Sequence, residues 1–301
     1  MVGTLLGGIL LACLAGPPAW AERDPHVPLW RFTQDEVSGL AASRRYPGVC
    51  WAIQDSGPGQ RAVLLAFREQ AGRLVAWPDG SRVRSVPVAG APNRDWEEVA
   101  ADASGNLWIA DSGNNDEDRT DLSLWRVPEP DPYRARQATA SLRVPFRYPD
   151  APPWGRSFDA EALWFWQGEA YVITKTAGHG LYHFPALDGS PVTLTRLGAL
   201  TPPARGFEGL VTGAAIASDG TRLAVAAGRR RLYVYESALA PTTPAAMAAV
   251  VAQPPRWSCP YASDQRAWQV EAVTFRPGSH DLWCAAEEGP LWCFPASFYA
   301  R

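Results

Sequence analysis

The sequence predicts an all-β fold, a five-bladed β-propeller of four-stranded blades closed by the N-terminal strand, and three observations predict it. A strand-turn-strand unit recurs along the chain, a third strand of fixed pattern follows it, and each chain end carries part of one blade. Six blades is the alternative, if the long connections hold a degenerate copy.

The unit is clearest from Asp95 to Asn115, where two short apolar strands flank a Ser104-Gly105-Asn106 turn, with acids before the first strand and Asp111 ending the second. Aligned on the turn glycine, Glu98–Gly105, Glu161–Gly168, Gly213–Gly220 and Glu271–Gly278 share one spacing, and the second strands read LWIAD, AYVITK, RLAVAA and DLWCAA. The first copy, Ser38–Ala42 followed by VCWAIQD, has a longer turn. Third strands begin Leu-aromatic at Leu124, Leu181, Leu232 and Leu291, and three end in Pro, where a strand stops or meets an edge. Fourth strands are expected near Val83, Leu142, Leu194 and Val250. The last copy ends without a fourth strand, and Val27–Phe32 supplies a spare one ahead of the first copy. Pairing the two ends closes the ring and removes its exposed edges.

A length of 301 residues and a 47% hydrophobic content suffice for one such domain, assigned to residues 22–301. A net charge of -3 gives no electrostatic basis for binding nucleic acid or an anionic membrane, and a monomer is expected. Residues 1–21 read as a signal peptide: a short apolar run, then an A-x-A cleavage site after Ala21. The run is too short for a comfortable membrane span, so the expected location is secreted or periplasmic. Lipoprotein anchoring at Cys13 is the alternative, although Leu11 fits a lipobox poorly. Without the leader, Cys50, Cys259, Cys284 and Cys293 remain; Cys284 and Cys293 could face each other across a hairpin and bridge, or all four could be buried thiols.

In a ring of this kind the starts of the innermost strands and the ends of the second strands open on one face. That face should collect Ser38, Asp55, Glu98, Asp111, Glu161, Lys175, Gly213, Glu271 and Glu287, with the Asn114-Asn115 loop beside them. Carboxylates so crowded repel one another, so a bound cation or a lysine is expected among them. Lys175 is the only lysine in the chain and falls at this rim. Glu98, Asp111, Glu161 and Glu271 are the candidate metal ligands, since Ca²⁺ takes hard oxygen donors. Ser38, Asp55, Asn114, Asn115, Lys175 and Glu287 are the candidate ligand-binding residues. The competing reading is that the acids accept backbone N–H bonds that tie blades together.

Other chemistry is largely excluded. Asp111–Asp118 lacks the alternating acids and twelfth-position Glu of an EF-hand. His179 and His183 would stand roughly 13 Å apart on a strand, too far for one ion. No G-x-S-x-G, H-E-x-x-H, Walker or dinucleotide motif occurs. The aligned aromatics, Trp108, Trp125, Tyr182, Tyr233, Trp283 and Trp292, are expected in the core between blades.

The segments V-S-G-L-A with W-A-I-Q-D-S-G, W-E-E-V-A with A-D-S-G-N-N, D-A-E-A, V-T-G-A and V-E-A-V resemble extracytoplasmic propellers of the SdiA-regulated and phytase-like-esterase type, distantly similar to gluconolactonases. The resemblance implies a Ca²⁺ site in the channel at Glu98, Asp111, Glu161 and Glu271, and in some members hydrolysis of lactones or phosphate esters. Gly213, with no acid, and Lys175, where other copies carry Asp, depart from that pattern. Three functions follow as expectations: binding of a small polar ligand or Ca²⁺-like cation in an acidic funnel, metal-dependent ester hydrolysis, or a metal-free interaction scaffold.

Overall fold

In a computed structural model of the chain, the described residues are 27–31, 36–55, 61–71, 73–151, 158–176, 178–201, 209–228, 231–260, 269–287 and 290–299. The proposed leader, with Cys13, lies outside them, as does the side chain of Cys259. No helix among the described residues is long and apolar enough to cross a membrane.

The strands form five separate sheets around one axis. Strand β1 (Val27–Arg31) belongs to the last blade. Blade 1 holds β2 (Val37–Ala42), β3 (Val49–Gln54), β4 (Val63–Gln70) with the short β5 (Arg73–Val75) beside it, and β6 (Val83–Ala89). Blade 2 holds β7 (Trp96–Ala101), β8 (Asn106–Asp111) and β9 (Ser123–Pro128); the chain then lays β10 (Ala138–Thr139) on β6 of blade 1 before returning as β11 (Leu142–Arg147). Blade 3 holds β12 (Ala162–Trp166), β13 (Glu169–Ile173) and β14 (Gly180–His183), sends β15 (Val192–Thr193) to β11 of blade 2, and ends in β16 (Thr195–Ala199). These parallel additions cover outer edges that would otherwise be open templates for another chain. Blade 4 holds β17 (Val211–Ile216), β18 (Arg222–Ala227), β19 (Arg231–Glu236), helix α1 (Pro244–Val251) and β20 (Trp257–Pro260). Blade 5 holds β21 (Val270–Phe275), β22 (Leu282–Ala286) and β23 (Pro290–Phe294), with β1 antiparallel to β23 as its outermost strand. The expected ring closure is therefore present.

Five apolar clusters fill the five gaps between blades, which is where the periodic aromatic residues go. Trp51, Trp96 and Ile109 join blades 1 and 2, and Trp108 stacks on Phe165 at 5.1 Å between blades 2 and 3. Trp164 and Tyr233 join blades 3 and 4, Trp292 and Phe275 join blades 4 and 5, and Trp283 stacks on Phe67 at 5.6 Å between blades 5 and 1. Each such ring pair adds about 1 kcal/mol beyond its buried area. Gly105, Gly168, Gly220 and Gly278 all take a left-handed φ, as their hairpin turns require.

Two expectations are corrected. The segment around Val250 is helix rather than fourth strand, and β20 takes the strand's place. Thr243 caps that helix by accepting from Ala246 N at 3.1 Å, Pro244 enters its first turn, and Met247 and Val251, one turn apart, bury themselves between blades 3 and 4. Cys284 faces Trp292 rather than Cys293, which faces Trp283. Adjacent strand positions point to opposite faces, so Cys284 enters the blade 4–5 core and Cys293 the blade 5–1 core. No bridge joins Cys284 to Cys293, and Cys50 and Cys293 are free thiols.

Candidate functional site

The innermost strands β2, β7, β12, β17 and β21 surround the channel, and four of them carry a bulge at its acidic mouth. The register of β2 slips at Ser38, that of β7 at Glu97, that of β17 at Thr212 and that of β21 at Glu271. In blade 3 the matching position is Glu161. Lys175 N donates to Asp159 O there just as Asp55 N donates to Glu36 O and Glu287 N to Gln269 O. Side chains at Ser38, Glu97, Glu161, Thr212 and Glu271 thus form one tier. Gly39, Glu98, Ala162, Gly213 and Ala272 form the next tier inward.

This splits the ring that alignment on turn glycines assembles. Glu161 and Glu271 stand in the outer tier, but Glu98 stands in the inner one and Glu97 takes the outer position in blade 2. Strand-start bulges and hairpins of unequal length make the turn glycine an unreliable marker of position. The sequence does carry a better one: Asp95-x-Glu97 and Asp159-x-Glu161 repeat the same D-x-E spacing, which puts both acids of each pair on one face.

Glu98 closes the channel. Its Oε1 accepts from Leu40 N at 3.2 Å and Val99 N at 3.0 Å, and its Oε2 from Ala214 N at 3.3 Å, so one fully buried carboxylate ties blades 1, 2 and 4. Gly213, the copy without an acid, has a reason in this geometry. A Cβ there would lie 2.7 Å from Glu271 O and 3.3 Å from Glu98 Oε2, and a Cβ on Gly39 would lie 2.7 Å from Val99 N. The two glycines clear the space that the Glu98 carboxylate fills. Burial raises its pKa well above the usual range, against the pull of the three N–H groups.

The open chemistry lies one tier out. Donor oxygens of Glu97, Asp159 and Glu161 come within 4.8 Å of one another, and so do those of Asp55, Asp95 and Glu97, which makes Glu97 common to both clusters. Glu97 and Glu161 are each 3% exposed, and Glu97 Oε1 and Glu161 Oε2 have no hydrogen-bond partner. Burial, and then the charge of Glu161, raises the Glu97 pKa far above its ordinary value; burial, and then Glu271, does the same to Glu161. Burial also raises Asp159, with Lys175 opposing. Glu271 accepts from Gln269 Nε2, and burial followed by the charge of Glu287 pushes it up to about 8.

Lys175, at the end of blade 3's second strand, ion-pairs with Glu161, stands 3.6 Å from Asp159 Oδ2 and donates to Asn115 Oδ1 at 3.3 Å. It is the compact cation among carboxylates that the sequence suggested. The remaining candidates divide. Asp55 joins the funnel, and Glu287 acts on Glu271 through its charge. Ser38 spends its hydroxyl on Trp96 O, a tie between blades 1 and 2. Asp111 holds Arg119 at 2.9 Å and accepts from Asp95 N, outside both clusters. Asn114 Oδ1 caps its own loop by accepting from Asp118 N and Arg119 N, while Asn114 N donates to Asp159 Oδ1. Away from the funnel, His183 pairs with Glu169, and His179 sits in a turn at positive φ.

No protein-family model matches the chain, and no curated protein does. Among solved structures, the chain is similar to that of a Myxococcus xanthus glutaminyl cyclase, with 14% identity, a TM-score of 0.47, and coverage of 89% of this chain and 91% of that one.

Proposed function

We propose that this propeller binds a hard divalent cation of the Ca²⁺ class at its acidic mouth, in one of the two carboxylate clusters that share Glu97, and that Lys175, Asn115, Glu271 and Glu287 surround whatever polar molecule meets the ion. The observation that carries the reading is the pair of bare, buried carboxylate oxygens, Glu97 Oε1 and Glu161 Oε2, within clusters of ligand spacing. Buried carboxylates without donors are costly unless a cation completes them. Oxygen donors alone, several of them charged, suit Ca²⁺ or Mg²⁺ rather than a soft metal. If the apolar leader directs export, the site works outside the cytoplasm.

A second reading is ester hydrolysis, and Glu271 is what favours it. With its pKa pushed up to about 8, this carboxyl can exchange a proton near neutral pH, beside an ion that would polarise a substrate oxygen. Lactones and phosphate esters are the substrate classes to test.

Calorimetric titration of the chelator-treated protein with Ca²⁺, Mg²⁺ and Mn²⁺ tests the first reading. Saturable binding that drops at least tenfold in Glu97→Gln is expected; no heat with any of the three ions would sink it. Turnover of a lactone or phosphate ester that requires the ion and falls in Glu271→Gln would establish the second.

A further inference from the structure

We propose that Lys175 is a tethered cation that permanently fills one of two carboxylate pockets sharing Glu97, so that the chain takes a single divalent ion, in the pocket of Asp55, Asp95 and Glu97. This rests on the cation-binding reading above and says which pocket is used and what keeps the other closed.

The two pockets are alike in donor type and spacing, and Glu97 belongs to both. Lys175 reaches one of them. The Lys175 ammonium has three donors, and three oxygens stand around it: Glu161 Oε1, Asp159 Oδ2 at 3.6 Å and Asn115 Oδ1 at 3.3 Å. The two carboxylates are the ones that define the second pocket with Glu97. The position from which Lys175 projects corresponds to Asp55 in blade 1 and Glu287 in blade 5, as the shared backbone bonds at these residues show. One blade has thus placed a positive charge where two others place an acid, in a chain with no other lysine. A divalent ion entering the Asp159–Glu161 pocket would have to displace that ammonium or sit against it, and like charges in a site this dry repel strongly. An ion bound at Asp55, Asp95 and Glu97 leaves the three oxygens around the ammonium in place, shares only Glu97 with that pocket, and completes the bare Glu97 Oε1.

Removing the ammonium should then create a two-ion site bridged by Glu97, with the ions at the separation of roughly 3.5–4 Å usual for shared carboxylates. The test loads Mn²⁺ into the full chain and reads stoichiometry by native mass spectrometry and spin coupling by electron paramagnetic resonance. Expected are one uncoupled Mn²⁺ per wild-type chain, one in Lys175→Arg, and two coupled ions in Lys175→Met. Two ions in the wild type, or one in a Lys175→Met protein whose melting curve shows it folded, would overturn the proposal while leaving cation binding intact. No ion in the wild type would remove both. Should Lys175→Met not fold, two other variants decide: Asp55→Asn should weaken the wild-type ion at least tenfold and Asp159→Asn less than threefold, and the reverse order would overturn the assignment.

Discussion

Glu97 and Glu98 are neighbours in the chain and both are buried, yet they do opposite things because of what surrounds their oxygens. Glu98 has three backbone donors; Glu97 has a bare oxygen and faces the charges of Glu161, Asp55 and Asp159. Glu98→Ala strands three buried N–H groups and should cost about 3–5 kcal/mol of stability, with Glu98→Gln nearer 1–2 because the amide keeps one acceptor oxygen. Urea unfolding of both variants reads the difference, and equal losses would argue against the clasp. Glu97→Gln should act the other way without a cation, raising the melting temperature by relieving repulsion. Gly39→Ala puts a Cβ 2.7 Å from Val99 N, against backbone that cannot yield.

At the scale of elements, two devices govern the ring. Helix α1 plugs the gap between blades 3 and 4 with Met247 and Val251, and its first turn depends on Thr243. Thr243→Ala should cost about 1 kcal/mol, measurable by the same unfolding experiment. Strand β1 closes blade 5 by pairing with β23 from Val27 to Arg31. A chain shortened past Arg31 leaves β23 as an open edge, and light scattering should then report association at concentrations where the longer chain stays dispersed.

At the scale of the whole molecule, the funnel couples stability to pH. Glu271 has a folded pKa of about 8 against an ordinary 4.5, so the folded state holds a proton that the unfolded chain has released across that window. Its contribution is complete below pH 4.5 and is lost as pH rises through about 8, because the folded state binds more protons than the unfolded chain between the two values. The chelator-treated protein should therefore melt at a lower temperature at pH 8.5 than at pH 5.5. Added Ca²⁺ should recover most of the loss, since an ion bound only to the folded state stabilises it by about 2.7 kcal/mol at a hundred times its Kd. A flat pH profile, or a fall that Ca²⁺ leaves untouched, would contradict the coupled funnel.

The sequence by itself determined the ring. Strand alternation, the repeated Leu-aromatic third strands and the spare strand at Val27 are period-2 and period-of-blade signals, and such patterns survive because every blade must bury the same two faces. It also determined that carboxylates and Lys175 meet at one mouth, since that follows from strand direction alone. Alignment on the turn glycines misassigned which carboxylates face the open space, and the tertiary structure decided it. The turn glycine comes eight residues after Glu97 but seven after Glu161 and Glu271, because the hairpins differ in length, and so Glu97 rather than Glu98 stands beside Glu161. The role of Glu98 is likewise a matter of three dimensions: its donors come from Leu40, Val99 and Ala214, and its space from Gly39 and Gly213, residues far apart in the chain that only closure of the ring brings to one point.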